Sequence, residues 1–281
     1  MKKQTRVPSK DWTKRWKGVS SWWGRFNPPW TPSRGEIGIY DSYFRQVTDF
    51  KNKDRSMLVM GATALLRELG HKYGYRTTMI DVNPEMVKNQ TAALRGQIPG
   101  EKFVQGDWRL MDGIFQRRKF DLIVADHAII NVPFRDWGKV YRNMRKILKP
   151  EGHVFWAATV YDGRKYDTVT KAIKNFRMEK SDTERFLRIY RFFGHPKYHD
   201  KAHGFHFGRL NRDFDSMAKN LLKPEQIRNF RMAVLDRWVC VVLKRNKFEE
   251  FTKKYFRVIR RRCDRSHVYY KYQQVYLLGQ K

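Results

Sequence analysis

Cysteine is scarce in this sequence. Cys240 and Cys263 are the two present, far apart and without metal-ligand spacing, which excludes a disulfide framework and a cysteine zinc site. Both read as free thiols of a reducing compartment. Acidic residues are the second shortage, with 28 Asp and Glu against 59 Lys and Arg, a formal net charge of +31. Long apolar runs are missing too. None approaches 18 residues, and the first residues lack a signal-peptide core, so the expectation is a soluble, cytoplasmic protein with no stable membrane insertion. What is present excludes disorder: 41% of residues are hydrophobic and 15% aromatic, and 281 residues bury one substantial core with room for a helical elaboration. The charge favours anionic partners, whether nucleic acid, anionic lipid or an acidic metabolite, and fast, salt-sensitive association.

The most informative stretch runs from Ser56 to Met86. Met57-Leu58-Val59-Met60 has the composition of a buried strand. Gly61-Ala62-Thr63 makes a small-residue turn, Leu65, Leu66 and Leu69 follow at helical spacing, and a second apolar run, Thr77 to Ile80, ends on Asp81 and Val82. Strand, tight turn, helix, strand and acid open a nucleotide-binding α/β domain. The small turn lets a ligand approach the backbone, and the helix behind it offers N–H groups. A carboxylate at the second strand tip suits a ribose diol. Asn83-Pro84 supplies an N-cap and first helical position, so Asp81 falls at a strand-to-helix junction. The second and third glycines of G-x-G-x-x-G are absent, with Thr63 and Leu66 in their places, which argues against a pyrophosphate.

Further signals follow in order. Residues 101–108 end a strand on Asp107 and Trp108, an acid for an exocyclic amine and an aromatic for stacking on a base. Residues 119–127 form a buried strand running into Asp126 and His127. A helix near 135–147, the turn Leu148-Lys149-Pro150-Glu151-Gly152 and a strand 153–159 come next. This series, over roughly residues 55–160, resembles the class I S-adenosylmethionine-dependent methyltransferases, and its Gly61-Ala62-Thr63 resembles a subgroup with a G-A-T cofactor turn. The resemblance implies S-adenosyl-L-methionine as cofactor. It implies a cofactor site of Tyr40, Gly61, Ala62, Thr63, Asp81, Val82, Asp107, Trp108 and Asp126, and no metal. Asp126 and His127 are the candidate catalytic pair. His127 is read as a base for an oxygen or nitrogen nucleophile or as a locally bonded loop histidine; Asp126 orients it, bonds the cofactor's amino group or stabilises the positive sulfur.

The expected fold is a seven-stranded, mostly parallel, doubly wound sheet with the site at the strands' carboxyl ends. Strands are placed near 57–60, 76–80, 102–105, 121–125, 153–159, 256–261 and 273–278, the last antiparallel. Residues 1–54 form a basic, Trp-rich extension and a helix over 36–54. Residues 55–162 form the cofactor-binding core, 163–245 a helical insertion, and 246–281 the last helix and two strands. In the extension, Trp12, Trp16, Val19 and Trp23 fall at helical spacing, read as packing, a cover over the site or stacking on nucleic acid. Asn27-Pro28-Pro29-Trp30 matches as a string the run that amino-directed nucleic-acid methyltransferases carry, but it does not follow an apolar strand.

Helices are placed at 165–178, 182–193, 212–221 and 224–235. His195, His199, His203 and His206 in one loop admit a metal site, a lid over the substrate or a solvated loop. Between 244 and 271, eleven Lys and Arg meet three acids, in part a charged face. The acceptor is read as a small acidic molecule or RNA. A catalytically silent relative that binds nucleic acid or assists assembly is the second reading, and aminopropyl transfer, which wants a more acidic pocket, the third.

Overall fold

Alternating apolar strands and amphipathic helices build the frame of this computed structural model, which describes residues 31–163, 168–176, 190–224, 227, 239–267 and 269–281. The Trp-rich stretch, and most of the helices expected at 182–193 and 224–235, lie outside the described residues.

Helix α1, Arg34–Val47, starts on a capping box in which Ser33 and Glu36 satisfy each other's backbone N–H groups. It stops seven residues short of the expected end at 54. Asp49 and Asn52 accept the N–H groups of Lys51 and Asp54, so local turns outcompete the helix there. The buried Arg55 guanidinium then gathers the carbonyls of Asp49, Asn52 and Tyr73. The chain next forms β1 Ser56–Met60, α2 Ala64–Lys72, β2 Arg76–Asp81, α3 Pro84–Ala92, β3 Lys102–Gln105, α4 Met111–Phe115, β4 Phe120–Asp126, α5 Phe134–Ile147 and β5 Leu148–Tyr161. The five strands pair in parallel, in the order β3-β2-β1-β4-β5. The Leu148–Gly152 turn is absorbed into β5: Phe120 faces Leu148 but Leu122 faces His153, so four residues bulge out of the ladder.

After β5, and before the helix that begins at Arg245, lie α6 Val169–Phe176, β6 Gly204–His206, α7 Phe207–Ala218, β7 Val239–Val241 and β8 Leu243–Lys244. β6 pairs with β7, and β8 extends β5 at Val160. Phe193, Phe205, Phe214 and Leu210 centre a separate apolar cluster here. Helix α8 Arg245–Lys253, β9 Phe256–Arg262 and β10 Gln273–Gln280 follow. β10 inserts antiparallel between β5 and β9. The sheet path is therefore seven strands with one antiparallel member, as expected, plus the short β8 alongside.

Period-two alternation divides the core. Leu58, Met60, Val154 and Trp156 face Trp137 and Tyr141 of α5 and Phe248 of α8; Met57, Val59, Phe155 and Ala157 face Tyr43 and Phe44 of α1 and Leu66 of α2. A buried fork adds a polar clamp. Arg67 on α2 donates Nε and a terminal nitrogen to the two Glu101 oxygens and its other terminal nitrogen to Thr91 on α3. No described helix is long and apolar enough to cross a membrane.

Candidate functional site

Parallel strands leave unpaired backbone at their carboxyl ends, where connections to the covering helices must bend away. Here β1, β2, β3 and β4 deliver Gly61, Asp81, Asp107 and Asp126 to one rim. Above it opens a cleft with about 1480 Å3 of atom-free space counted out to its mouth. Gly61, Ala62, Thr63, Asp81, Val82, Asp107, Trp108, Asp126 and His127 all line it. Tyr40 does not. It is fully buried beneath, its ring 6.4 Å from that of Phe155, and its hydroxyl faces Asp126 without forming a hydrogen bond within the described residues.

Gly61 turns the chain out of β1 with φ +96°, while its N–H still bonds Ile80 O at 2.9 Å. That left-handed backbone requires glycine. Gly61→Val is expected to lose about 1–3 kcal/mol of stability, measurable by urea denaturation, because a branched side chain cannot follow that path without strain. Asp81 accepts the Asn83 N–H at 2.7 Å, and Asn83 in turn caps α3 by accepting from Glu85 and Met86. Burial pushes the Asp81 carboxyl up to about 6, against the pull of the Asn83 and Val82 N–H groups. Trp108 is fixed by its indole N–H on Ile80 O at 2.9 Å. Asp107 is more committed than its position in sequence suggests: Arg109 grips it through Nε and a terminal nitrogen, at 2.9 and 2.5 Å to Oδ2, and reaches Asp136 at 3.1 Å. The first N–H of α2 is likewise taken, by Gln90 Oε1 at 3.0 Å.

Asp126 and His127 sit where β4 ends. Asp126 Oδ2 accepts from Thr63 at 3.4 Å, and Oδ1 lies 3.8 Å from His127 Nε2. Burial raises the Asp126 carboxyl to about 8, with the Glu36 charge adding to the rise. Glu36 itself is pushed up to about 7 by burial. His127 takes a left-handed backbone, φ +48°, and its Nδ1 meets Thr159 Oγ1 at 2.9 Å. Burial lowers its pKa to about 4, so the ring is neutral at physiological pH.

The far wall had no signal in the local pattern. Thr159, Tyr190, Phe193, Phe207, Cys240, Val242 and Gln273 reach it from the insertion and from β5 and β10, separated by up to 114 positions in the chain. The four loop histidines are spent locally. His199 Nε2 meets Phe193 O at 2.6 Å, His206 pairs with Asp200 at 2.8 Å, His195 accepts the Lys197 N–H and His203 packs edge-on to Phe134.

With this geometry in place, comparison with known proteins is decisive for the core. Residues 58–152 match the family model described as a methyltransferase domain. Those residues form a methyltransferase domain. A Dictyostelium discoideum protein described as a histidine protein methyltransferase 1 homolog is 28% identical to this chain over 92 residues, 31% of this chain. The chain spans 29% of that relative's length. Two solved structures share the architecture around the domain. A Rhodobacter sphaeroides structure described as a putative Zn-dependent alcohol dehydrogenase has a TM-score of 0.61 at 13% identity, covering 97% of this chain and 100% of its own. The Burkholderia thailandensis 1,6-didemethyltoxoflavin-N1-methyltransferase, solved with that compound and S-adenosylhomocysteine bound, has a TM-score of 0.53 at 11% identity, covering 96% and 88%. At these identities the likeness is one of fold.

Proposed function

We propose that the chain is an S-adenosylmethionine-dependent methyltransferase of the class I type, in the subgroup with a Gly-Ala-Thr turn, and that the cofactor occupies the cleft between Gly61 and Asp126. The observation that carries this is the convergence, inside a methyltransferase domain, of a glycine turn at φ +96° with Asp81, Trp108 and Asp126 on one cleft. The residues fit the group. Gly61 to Thr63 leave the backbone open to a ligand, the Asp81 carboxylate suits a ribose diol, and the Trp108 ring, held by Ile80, offers a stacking face for the base. Asp107 orders the turn that carries Trp108, through Arg109. Tyr40 supports Asp126 from below. Neither Cys240 nor Cys263 is in a disulfide, which suits a reducing cytoplasm.

When bound, the cofactor supplies a methyl group on a cationic sulfur, which keeps the bonding pair as a neutral thioether once the methyl has left. Asp126 is matched to that change of charge. Beside a cation its carboxylate is ionised; once the cation is gone, burial restores its affinity for a proton to about 8, so it can take the proton an oxygen or nitrogen acceptor must lose. His127, held near 4, is a weak acceptor at neutral pH and acts as an oriented hydrogen-bonding group on Thr159.

Calorimetric titration of the purified, nuclease-treated protein with S-adenosylmethionine and S-adenosylhomocysteine tests the reading. Micromolar binding is expected, and Asp81→Ala is expected to weaken both ligands by about 10- to 100-fold, the loss of hydrogen bonds to a charged acceptor. No heat with the wild type would overturn the enzyme reading and leave a silent binding protein on this fold.

A further inference from the structure

The cleft has two chemically different halves. Every charged side chain among its described lining residues, Asp81, Asp107, Arg109 and Asp126, lies on the β1–β4 rim, and Arg109 is already held by Asp107 and Asp136. Beyond His127 the walls change. Tyr190, Phe193 and Phe207 supply rings, and Ile130 and Val242 aliphatic surface. Those rings are ordered among themselves: Tyr190 and Phe193 lie 4.9 Å apart, and Phe205 packs edge-on to both Phe193 and Phe207 at 5.0 and 5.1 Å. Polar groups there are uncharged. Gln273 donates to the Tyr190 hydroxyl at 3.1 Å, and His127 is turned onto Thr159.

An anion brought into this half would leave water for a wall without a cation among the described residues, so its desolvation would go uncompensated. The positive charge of the described residues lies elsewhere. On β9, for example, Arg257, Arg260, Arg261 and Arg262 are exposed, on the edge of the sheet.

We propose that the methyl acceptor is an uncharged, flat, small molecule carrying an O–H or N–H, seated among Tyr190, Phe193 and Phe207, and not an organic acid or RNA. The inference rests on the cofactor reading above. The acceptor's lone pair forms the new bond to the methyl carbon as the carbon–sulfur bond breaks, and its proton passes to Asp126. This departs from the acidic acceptor that net charge alone favours, because no cation among the described residues lines the half of the cleft where the acceptor would sit.

The test is binding of a matched set of probes to the protein saturated with S-adenosylhomocysteine: 2-naphthol, 2-naphthoate and an eight-residue oligouridylate. The neutral probe is expected to bind at least about tenfold more tightly than either anion. Phe207→Leu is expected to weaken 2-naphthol about fivefold or more while leaving S-adenosylhomocysteine affinity unchanged, which also shows that the variant is folded. Ile130→Lys, a cation placed on a half-buried wall position, is expected to reverse the preference toward 2-naphthoate. Equal or tighter binding of either anion to the wild type would overturn the proposal, as would Phe207→Leu and Ile130→Lys variants that bind the probes as the wild type does. Should S-adenosylhomocysteine itself not bind, that failure belongs to the cofactor reading, and the same three probes titrated into the unliganded protein decide the acceptor side alone.

Discussion

S-Adenosylmethionine is expected to bind more tightly as pH rises from 6 to 8, whereas S-adenosylhomocysteine is expected to gain far less. The two ligands share ribose, base, amine and carboxylate, so contacts through Asp81 or Trp108 cancel in their ratio. They differ in the charge on sulfur. In the unliganded protein Asp126 holds its proton up to about pH 8: burial and the Glu36 charge on α1 raise it, and the hydroxyls of Thr63 and Tyr40 offset that only in part, with His127, Tyr190 and Tyr269 the other titratable groups around it. A cation favours the ionised carboxylate, so binding S-adenosylmethionine releases a proton below that pKa and its affinity rises with pH. The affinity ratio of the two ligands is expected to widen by about tenfold or more between pH 6 and 8 and to level off above. Glu36, raised to about 7, ionises inside the same window and broadens the rise. Calorimetry in buffers of different ionisation heat reads the released proton directly. Asp126→Asn is expected to flatten the ratio, and a ratio independent of pH in the wild type would remove Asp126 from the sulfur.

Glu101→Ala is expected to be the most destabilising substitution outside the cleft, costing about 3–5 kcal/mol, because it strands a charge in the interior. The Arg67 side chain is fully buried and Glu101 meets it through both oxygens, at 2.9 and 2.5 Å. The pair ties α2 to the turn before β3, and Thr91 extends the tie to α3. Urea denaturation at pH 7 measures the loss. Replacing both partners, as Arg67→Met with Glu101→Leu, is expected to recover most of it, since neither buried charge remains. A double variant no better than the single one would show that packing around Arg67, not its pairing, matters there.

How much of this was legible in the sequence depends on the range of the interaction. The interior strands β1, β4 and β5 could be placed because a strand buried on both faces must be apolar along its length, as Leu122 to Ala125 are. Asp81 and Asn83 could be placed because capping is local. The early end of α1 was written in Asp49 and Asn52, but their turns compete with a helix only by a small margin. Arg109 stands two residues from Asp107, yet its grip depends on Asp136, 27 positions on. Nothing near Phe193, Phe207 or Gln273 marks them as neighbours of His127. Net charge misled in a different way: it sums over the whole surface, and the described lining of the far half of the cleft is neutral.

The position of β10 sets a timetable for synthesis. It lies between β5 and β9, although both precede it in the chain. A ribosome that has released residues 56–161 has made five parallel strands, but the β5 edge, with Val154, Phe155, Trp156 and Ala157 along it, has no neighbour until residues 273–280 emerge. β9 must wait as well, because its only sheet partner among the described residues is β10. A growing chain therefore carries an open, apolar strand edge through more than a hundred residues of elongation. Stalling in that interval favours aggregation or chaperone capture over a partly working enzyme.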